Sequence, residues 1–562
     1  DCLLSRGLGD VYKRQGGYGG LYGDVVNLTH PLGMVDDNLM KRYSDNVKIF
    51  ANAYVSVELM KGLKYKLNLT PDFQFYRYNS YEGLFDFGLA KHDITAVTEQ
   101  QTRTRNILVE NLLTFDRTFG DHKVSALVGY TYQDSRYRYM QGSGQGMPTG
   151  ITEIDAASQG LAVSGNSSRS VLTSILGRAF YSYKNRYLLT ATIRRDGSSK
   201  FGSNYRYGNF PSVSVGWNIA EEDFVKNSVS WLDQLKLRGG YGVLGNQEID
   251  NYQYVSVVTT GINYPDGKSG LIQGAFPKTF ANPDIKWEET AMTNVGIDFM
   301  ALRNRLTLTA DWYVKNTKDI LLNVPIPIST GGANDPIRNA GKIRNQGFEF
   351  NLGWNESLNK DLSYGVSFLG TYNKNEVVEM GAESQVITGG TIHGGTYTSR
   401  TLAGYPIGGF WLIPTDGYFN STEEVQAHQK DGVLIQPSAE PGDIRFKDTN
   451  NDGTINDEDR VYCGSPFPKF TYSINGNITY KNVDFSIGFQ GVTGNKIYNA
   501  TKLELTDVTR GTNYLASTLD YWTPENQNAS SPRLIWTDPN RNARSESVSY
   551  THLRAHETRG NL

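Results

Sequence analysis

Cysteine, excess positive charge and long apolar runs are all scarce in this sequence. Only two cysteines occur in 562 residues, which leaves no disulfide framework and no CxxC metal site. The formal net charge is −3, so the basic footprint of a nucleic-acid-binding protein is missing. No apolar run approaches the roughly 20 residues of a membrane-spanning helix. A soluble all-β protein and an outer-membrane β-barrel remain, because barrel strands alternate and give no strong hydropathy peak.

Tyrosine and glycine are abundant instead, with 35 and 59 residues, and strand-like alternation accompanies them. In Phe470–Tyr480, "FTYSINGNITY", apolar residues occupy one set of alternate positions and polar residues the other. This period of two predicts a strand with one apolar and one polar face. A tight turn is expected at Lys481–Asn482, followed by a second alternating stretch, Val483–Phe489.

Hairpins of this kind recur along the chain. The paired stretches are Val47–Met60 with Leu63–Tyr78, a strand ending near Phe119 with Val124–Tyr132, Val171–Tyr183 with Tyr187–Ile193, Val295–Ala301 with Leu306–Val314, and Phe348–Trp354 with Leu362–Tyr372. We count about fourteen strands of about 9–15 residues, longer than the usual globular strand of about 5–6 residues. Such lengths match the roughly 9–11 residues with which a tilted strand crosses a bilayer.

The connections also alternate between short turns and long polar segments. The long segments are expected at about residues 140–168, 243–289, 317–344 and 375–469. Short turns at one rim and long loops at the other are typical of an outer-membrane barrel. Tyrosines and tryptophans near strand ends, such as Trp312 and Tyr480, suit the aromatic girdles of such a barrel. The fold class predicted is therefore all-β, an antiparallel transmembrane β-barrel.

One acidic stretch, Asp448–Asp459 or "DTNNDGTINDED", has the spacing of a calcium-binding loop. The candidate ligands are Asp448, Asn450, Asp452, the carbonyl of Thr454, Asn456 and Asp459, with Gly453 where the loop must turn sharply. Prolines beside it rule out the paired helices of a calcium sensor. Two interpretations stay open: a structural Ca²⁺ site, or a loop closed by its own Asx-turn hydrogen bonds.

The two chain ends share an unexpected relation at the level of DNA. One DNA sequence can encode Ser5–Gln15, and its reverse complement, read in another frame, encodes Val548–Glu557. We interpret residues 1–15 and 548–562 as translated sequencing adapter, which does not contribute to the fold. The expected natural segment is then 16–547, a barrel fragment with long extracellular loops, in which Cys463 is the one cysteine.

Several ordered landmarks resemble the SusC/RagA family of TonB-dependent outer-membrane transporters. They are "RRDGSSKFG" (194–202), "NFPSVSVGWNIAEEDF" (209–224), "NPDIKWEET" (282–290), "NTKDILLNVPIP" (316–327), "IRNQGFEF" (343–350), "AGYPIGGFW" (403–411), "PGDIRFKDTNNDGTINDEDR" (441–460) and "NGNITYKNVDFSIGFQGVTGNKIYN" (475–499). No single landmark suffices, but together they keep the order of the family over most of the chain. The sequence is therefore identified as similar to that family.

This resemblance implies a barrel of about 22 strands, of which the chain holds a part without the plug domain. It implies an outer-membrane importer of oligosaccharides or peptides, energised by TonB through an N-terminal region outside this chain. It also implies a SusD-like surface lipoprotein as partner and outer-membrane lipid as surroundings. The alternative is a secreted β-rich protein that binds or degrades glycans. A third reading is a structural barrel or adhesin without energised transport.

Aromatic residues in the longest predicted loop are the candidates for contact with a substrate or with the lipoprotein. They are Phe410, Trp411, Tyr418 and Phe419, whose rings suit stacking on sugar or peptide groups, or alternatively packing within the loop. Serines occur without a nearby histidine base, so no catalytic constellation is evident. We expect no enzyme activity and no required cofactor, apart from the structural Ca²⁺ left open above.

Overall fold

A computed structural model describes the chain from residue 33 to residue 542, with short internal gaps. The described ranges are 33–86, 91–256, 258–265, 267, 270–277, 280–324, 335–381, 386–392, 396–510 and 514–542. Both expected adapter-derived ends, 1–15 and 548–562, lie outside these ranges. Within them, no helix is long and apolar enough to cross a membrane.

One antiparallel sheet of fifteen strands forms most of this structure. Its strands are β1 (Met40–Phe50), β2 (Ala53–Met60), β3 (Leu63–Glu82), β4 (Ala96–Phe119), β5 (His122–Gln145), β6 (Gln159–Tyr183), β7 (Tyr187–Ser198), β8 (Tyr207–Asn218), β9 (Leu232–Asn246), β10 (Glu288–Ala301), β11 (Leu306–Lys318), β12 (Lys342–Ser357), β13 (Leu362–Glu379), β14 (Phe470–Tyr480) and β15 (Val483–Thr493). From β3 to β15 each strand pairs with the next, while β1 and β2 both pair with β3. This up-and-down order is the meander expected from the recurring hairpins.

The register sorts the side chains of this sheet onto one apolar and one polar face. Large apolar side chains from neighbouring strands share the first face: Val128, Ile175, Ile193, Val215, Val295, Trp312, Phe348, Val366, Ile474 and Ile487. Each of these exposes between 42% and 60% of its surface. A contiguous apolar surface of this extent marks an interaction site or a membrane-facing surface.

Polar residues occupy the alternate positions and line the second face. On β11, for example, Thr309 and Asp311 alternate with Ala310 and Trp312. One charged network on this face joins Arg238 to both Asp298 (3.2 Å) and Asp311 (2.5 Å) across three adjacent strands. The face opposite the apolar belt is therefore hydrophilic, as expected for the inside of a water-filled barrel.

Short turns close the hairpins at one rim, and their backbone angles explain their residues. Lys184 and Asn185 between β6 and β7 both have positive φ, of 51° and 56°. Two successive residues with positive φ are typical of the turns that match the right-handed twist of a hairpin. Gly62, between β2 and β3, has φ of 84°, a conformation that costs glycine little.

Three features of the sheet differ from the expectation. The predicted strand Val47–Met60 is divided at residues 51–52 into β1 and β2. The segment 140–168, expected as a loop, continues the ladder on β5 to Gln145 and on β6 from Gln159. The strands β3 to β6 reach 20 to 25 residues. Backbone hydrogen bonds do not require alternating hydrophobicity, so a ladder can continue where both faces are polar.

Shorter elements fill the remaining described ranges. Small strand pairs or groups are Phe85–Asp86 with Lys91–His92; Val258–Pro265 with Leu271–Pro277; Leu321–Asn323 with Ile337–Asn339; Ile387–Thr388, Ser399–Thr401, Gly409–Leu412 and Val461–Gly464; Thr391–Ile392 with Thr396–Tyr397; Thr415–Tyr418 with Ile444–Phe446; and Gln429–Lys430 with Val433–Leu434. The helices are α1 (Asp223–Lys226), α2 (Thr422–Ala427) and α3 (Ala500–Thr506), and the 3₁₀ turns are Gly33–Val35, Ile154–Ala156, Ile219–Glu221, Asp457–Asp459, Val508–Arg510 and Ala516–Leu519.

Candidate functional site in the cap

Two chain segments fold together at the long-loop end of the sheet. The first comprises the described residues within 380–469, between β13 and β14, and the second those within 494–542, after β15. We call this combined unit the cap. The Trp522 indole N–H donates to the Asn420 side chain at 3.1 Å, and Gln436 Nε2 donates to Asn540 Oδ1 at 2.8 Å. These contacts hold the two segments against each other.

A buried ionic network fixes this arrangement. Asp443 has no exposed surface, and its carboxylate accepts hydrogen bonds from Arg533 Nε at 2.6 Å and Nη2 at 3.0 Å. Asn542 Nδ2 donates to Asp443 Oδ1 at 2.6 Å, and the backbone N–H of Glu440 donates to Oδ2 at 2.8 Å. A buried carboxylate needs partners of this kind because its desolvation is costly. The network therefore holds the second segment in place against the first.

Trp411, one of the predicted contact residues, lies in an aromatic cluster. Its ring meets Tyr405 edge to face at 4.7 Å and Tyr462 at 5.8 Å, and the two tyrosines are 5.2 Å apart. Tyr405 remains 38% exposed, so the cluster offers aromatic surface to solvent. Phe410, beside Trp411 on the same short strand, is half-buried.

Sequence reasoning missed the two tyrosines of this cluster. Tyr405 belongs to the landmark "AGYPIGGFW" and could have been included with Trp411. Tyr462 lies fifty-one residues further along and joins the cluster because its strand pairs with that of Trp411. The contact between Tyr462 and Trp411 arises from this strand pairing, so the sequence spacing alone could not predict it.

The other two predicted contact residues lie deeper in the cap. Phe419 has no exposed surface and packs with Val425 and Ala439. Its ring therefore supports the cap and does not face solvent. Tyr418 packs beside Ile444 and Phe446, and burial, with the Asp520 carboxylate second, raises the pKa of its hydroxyl.

Tyr418 also borders a cavity between the two cap segments. The cavity has a volume of about 240 Å³, and its lining includes Tyr418, Lys502, Thr506, Thr509, Ser531 and Arg533. Drug-sized sites usually occupy about 300–1,000 Å³, so this cavity has room only for a smaller chemical group. Hydroxyls, the Lys502 ammonium and the Tyr418 ring give it a polar lining, while the Arg533 guanidinium is already held by Asp443 and Glu440.

The acidic loop has the turn predicted from its sequence, with Gly453 at φ of 91°. Its carboxylates, however, bind backbone N–H groups of the loop itself. Asp448 accepts from Gly453 N at 2.7 Å, and Asp459 accepts from Thr449 N at 2.7 Å and from Asn456 N at 2.8 Å. Within the described part of the chain, no group of three or more His, Cys, Asp or Glu side chains is arranged to hold a metal ion.

The remaining candidate ligands join the same local hydrogen-bond network. Asp452 accepts from the side-chain amides of Asn450 at 2.9 Å and Asn456 at 3.0 Å, and from Thr454 N at 2.8 Å. These bonds, that of Asn450 foremost, lower the pKa of Asp452 to about 2. The loop thus has the Asx-turn closure that was one of the two interpretations, while Ca²⁺ binding stays a prediction.

Comparison with known proteins decides the family. Residues 6–553 match the family described as TonB dependent receptor-like, beta-barrel. The chain belongs to this family. Its sheet is therefore part of a TonB-dependent receptor barrel, with the apolar face toward lipid and the polar face toward the lumen. The prediction of a β-barrel of the outer membrane is confirmed.

Individual relatives support the same assignment. TonB-dependent receptor P3 of Formosa agariphila is 30% identical over 536 residues, which are 93% of this chain and 51% of the relative. TonB-dependent receptor SusC of Bacteroides thetaiotaomicron is 33% identical over 340 residues, which are 59% of this chain and 32% of the relative. The chain thus spans about half or less of the curated relatives it matches.

A solved structure, that of the RagAB peptide transporter, has the same fold. It aligns with a TM-score of 0.78 at 21% identity, covering 93% of this chain and 55% of that one. Together with the family match and the SusC relative, this common fold confirms the resemblance to SusC/RagA barrels, and membership of the receptor family confirms the expectation that the chain is not an enzyme. The alternative of a secreted glycan-binding or glycan-degrading protein is set aside, because this family consists of outer-membrane barrels.

Proposed function

We propose that the protein containing this chain imports oligosaccharides or peptides across the outer membrane with energy from TonB. The observation that carries this proposal is the folded cap, which brings an aromatic cluster and a hydroxyl-lined cavity to the long-loop rim of the barrel. Aromatic faces and convergent polar groups are what sugars and peptides require for binding. Energy transfer would use the N-terminal region of the whole protein.

A SusD-like surface lipoprotein is the proposed partner at this rim. Relatives named SusC and RagAB support the pairing by analogy. In this chain Tyr405 and Val433 expose 38% and 67% of their surfaces. Exposed aromatic and apolar side chains of a folded loop suit a partner interface.

Uptake by whole cells tests this function. The wild-type full-length protein, a Tyr405→Ala/Trp411→Ala variant and a Tyr480→Ala control are expressed in the native host lacking its own copy. Tyr480 is also an exposed aromatic residue but lies at the short-turn rim. Labelled mixtures of oligosaccharides and of peptides are supplied, with and without functional TonB.

We expect TonB-dependent uptake of one mixture by the wild type and the control, and strongly reduced uptake by the Tyr405/Trp411 variant. Recovery of the lipoprotein with the purified barrel would support the partner. Uptake of neither mixture, or uptake that does not depend on TonB, would contradict the proposal. The second result would favour a barrel without energised transport.

A further inference from the structure

Five arginines lie together on the lipid-facing side of the barrel. They are Arg103 and Arg105 on β4, Arg136 and Arg138 on β5, and Arg169 on β6. The register places Arg105 opposite Arg136, Arg136 opposite Arg169, and Arg103 opposite Arg138. Like charges directly opposite each other weaken a sheet. The stability of the sheet therefore does not explain this arrangement, which we call the arginine patch.

The alternation along β5 shows that the patch continues the apolar face. Val128, Tyr130 and Tyr132 occupy alternate positions of that face, and Asp134, Arg136 and Arg138 continue the same series. On β6, Arg169 likewise shares its face with Ile175. The patch therefore points away from the lumen, on the same side as the residues that meet lipid.

The height of the patch follows from strand geometry. Arg136 and Arg138 lie twelve and fourteen residues beyond Val124, the first apolar residue of this face on β5. At about 3.3 Å per residue and a tilt of about 40°, these distances are about 30 and 35 Å along the membrane normal. The apolar band of such barrels is about 25 Å tall. The patch therefore lies just above it, at the long-loop side, where outer-leaflet headgroups are found.

Internal neutralisation of this patch is incomplete. Asp134 pairs with Arg169 at 2.9 Å, Arg136 at 3.2 Å and Arg105 at 3.4 Å. In the described ranges, neither Arg103 nor Arg138 has a carboxylate within ion-pair distance. One carboxylate thus faces five guanidinium groups, and both Arg103 and Arg138 are exposed.

A cleft beside these two arginines combines charge with apolar surface. Its volume is about 470 Å³, and its lining includes Val47, Phe75, Arg77, Arg103, Arg138 and Met140. Val47 and Met140 expose 55% and 50% of their surfaces. The cleft also contains Asp45, and Arg77 pairs with Glu99 at 3.5 Å. Arg103 and Arg138 are therefore the two cations left for an external anion.

We propose that the arginine patch binds the phosphorylated headgroup of an outer-leaflet glycolipid, with the start of an acyl chain against Val47 and Phe75. Arginine binds phosphate through paired, charge-assisted hydrogen bonds. Apolar walls beside the cations match a ligand whose charged group is joined to a hydrocarbon chain. Both features occur at the one height where such a lipid places its phosphates.

Native mass spectrometry of the full-length protein tests the site. The delipidated protein in detergent is titrated with diphosphoryl lipid A, with dephosphorylated lipid A, and with inorganic phosphate alone. The test variant is Arg103→Gln/Arg138→Gln. The matched control, Arg117→Gln/Arg178→Gln, also removes two cations, Arg117 on β4 near the short-turn rim and Arg178 on the lumen face of β6. Heat-modifiable gel mobility verifies that each variant forms a barrel, and the single Arg138→Gln change is used if the double variant does not.

We expect diphosphoryl lipid A to bind the wild type and the control equally, and the test variant about tenfold more weakly, since hydrogen bonds to charged groups contribute this much. Removal of the lipid phosphates should weaken binding to the wild type by a similar factor. Equal binding by all three proteins would overturn the proposal. Inorganic phosphate that binds as tightly as the lipid would also overturn it, because the site would then serve free phosphate.

Discussion

Removal of the buried charge at Asp443 should release the second cap segment. In an Asp443→Asn variant, Arg533 loses its fully buried counterion while its side chain stays only 20% exposed. Breaking a buried ion pair from one side costs about 3–5 kcal/mol. The contact of Arg533 with the exposed Glu440 remains, so we take the lower end, about 3 kcal/mol. This corresponds to an opening equilibrium more than about a hundredfold larger.

Hydrogen exchange read by mass spectrometry measures that opening directly. Peptides covering residues 514–542 should exchange more than about a hundredfold faster in the variant, whereas peptides from β5 and β6 should be unchanged. The matched control is Asp416→Asn, which breaks a 3.3 Å pair with Arg445 but starts from a carboxylate that is 57% exposed. An exposed pair contributes about 0–1 kcal/mol, so the control should exchange nearly as the wild type does.

A double variant, Asp443→Asn/Arg533→Gln, separates the ion pair from the other bonds of Asp443. If the pair dominates, the double variant should cost much less than the two single costs added together. Unchanged exchange of residues 514–542 in Asp443→Asn would refute the claim that this network docks the segment.

Three further predictions concern the barrel and the acidic loop. An Ile193→Lys change on the apolar face of β7, near the middle of the apolar band, should destabilise the barrel in lipid vesicles by about 2–4 kcal/mol, while Thr190→Lys on the lumen face of the same strand should cost far less, as denaturant unfolding would show. Ca²⁺ should slow proteolysis of the 448–459 loop in the full-length protein, and Asp452→Asn should abolish that effect. Identical cleavage with Ca²⁺ and with a chelator would contradict Ca²⁺ binding and would mean that Asx-turn hydrogen bonds alone close the loop. Because the pKa of Asp452 is lowered from 3.8 to about 2, its contribution to loop stability should be complete above pH 3.8 and lost as the pH falls through about 2. Hydrogen exchange of the loop between pH 5 and 2 measures this, and a loss already complete at pH 5 would contradict it.

The hairpins were predictable because their signal is local. Phe470–Tyr480 has the same bounds in the sequence pattern and in the structure, since each alternate side chain must meet either lipid or water. The continuation of β5 and β6 above the apolar band was not predictable. There, polar and small residues such as Gln141 and Ser164 interrupt the alternation of apolar and polar positions. Only the backbone hydrogen bonds between the two strands show that they continue.

The cap and the arginine patch depend on contacts between distant parts of the chain. Asp443 and Arg533 are 90 residues apart, and no spacing rule joins them. Arg105 and Arg169 lie near Asp134 only because three strands share one register. The sequence predicted which aromatic residues belong to the loop, but burial separates Phe419, which supports the cap, from Trp411, which contributes to its aromatic cluster.

The orientation of the barrel is the most direct test of the account. Single cysteines are introduced into the full-length protein at Val433 in the cap and at Lys481 in the turn between β14 and β15, with other cysteines replaced by serine. Val433 is 67% exposed, and Lys481 is exposed as well. In intact cells a membrane-impermeant maleimide should label the cysteine at 433 and should label that at 481 only after the outer membrane is permeabilised. Equal labelling of both sites in intact cells would contradict a membrane-spanning barrel with its cap outside.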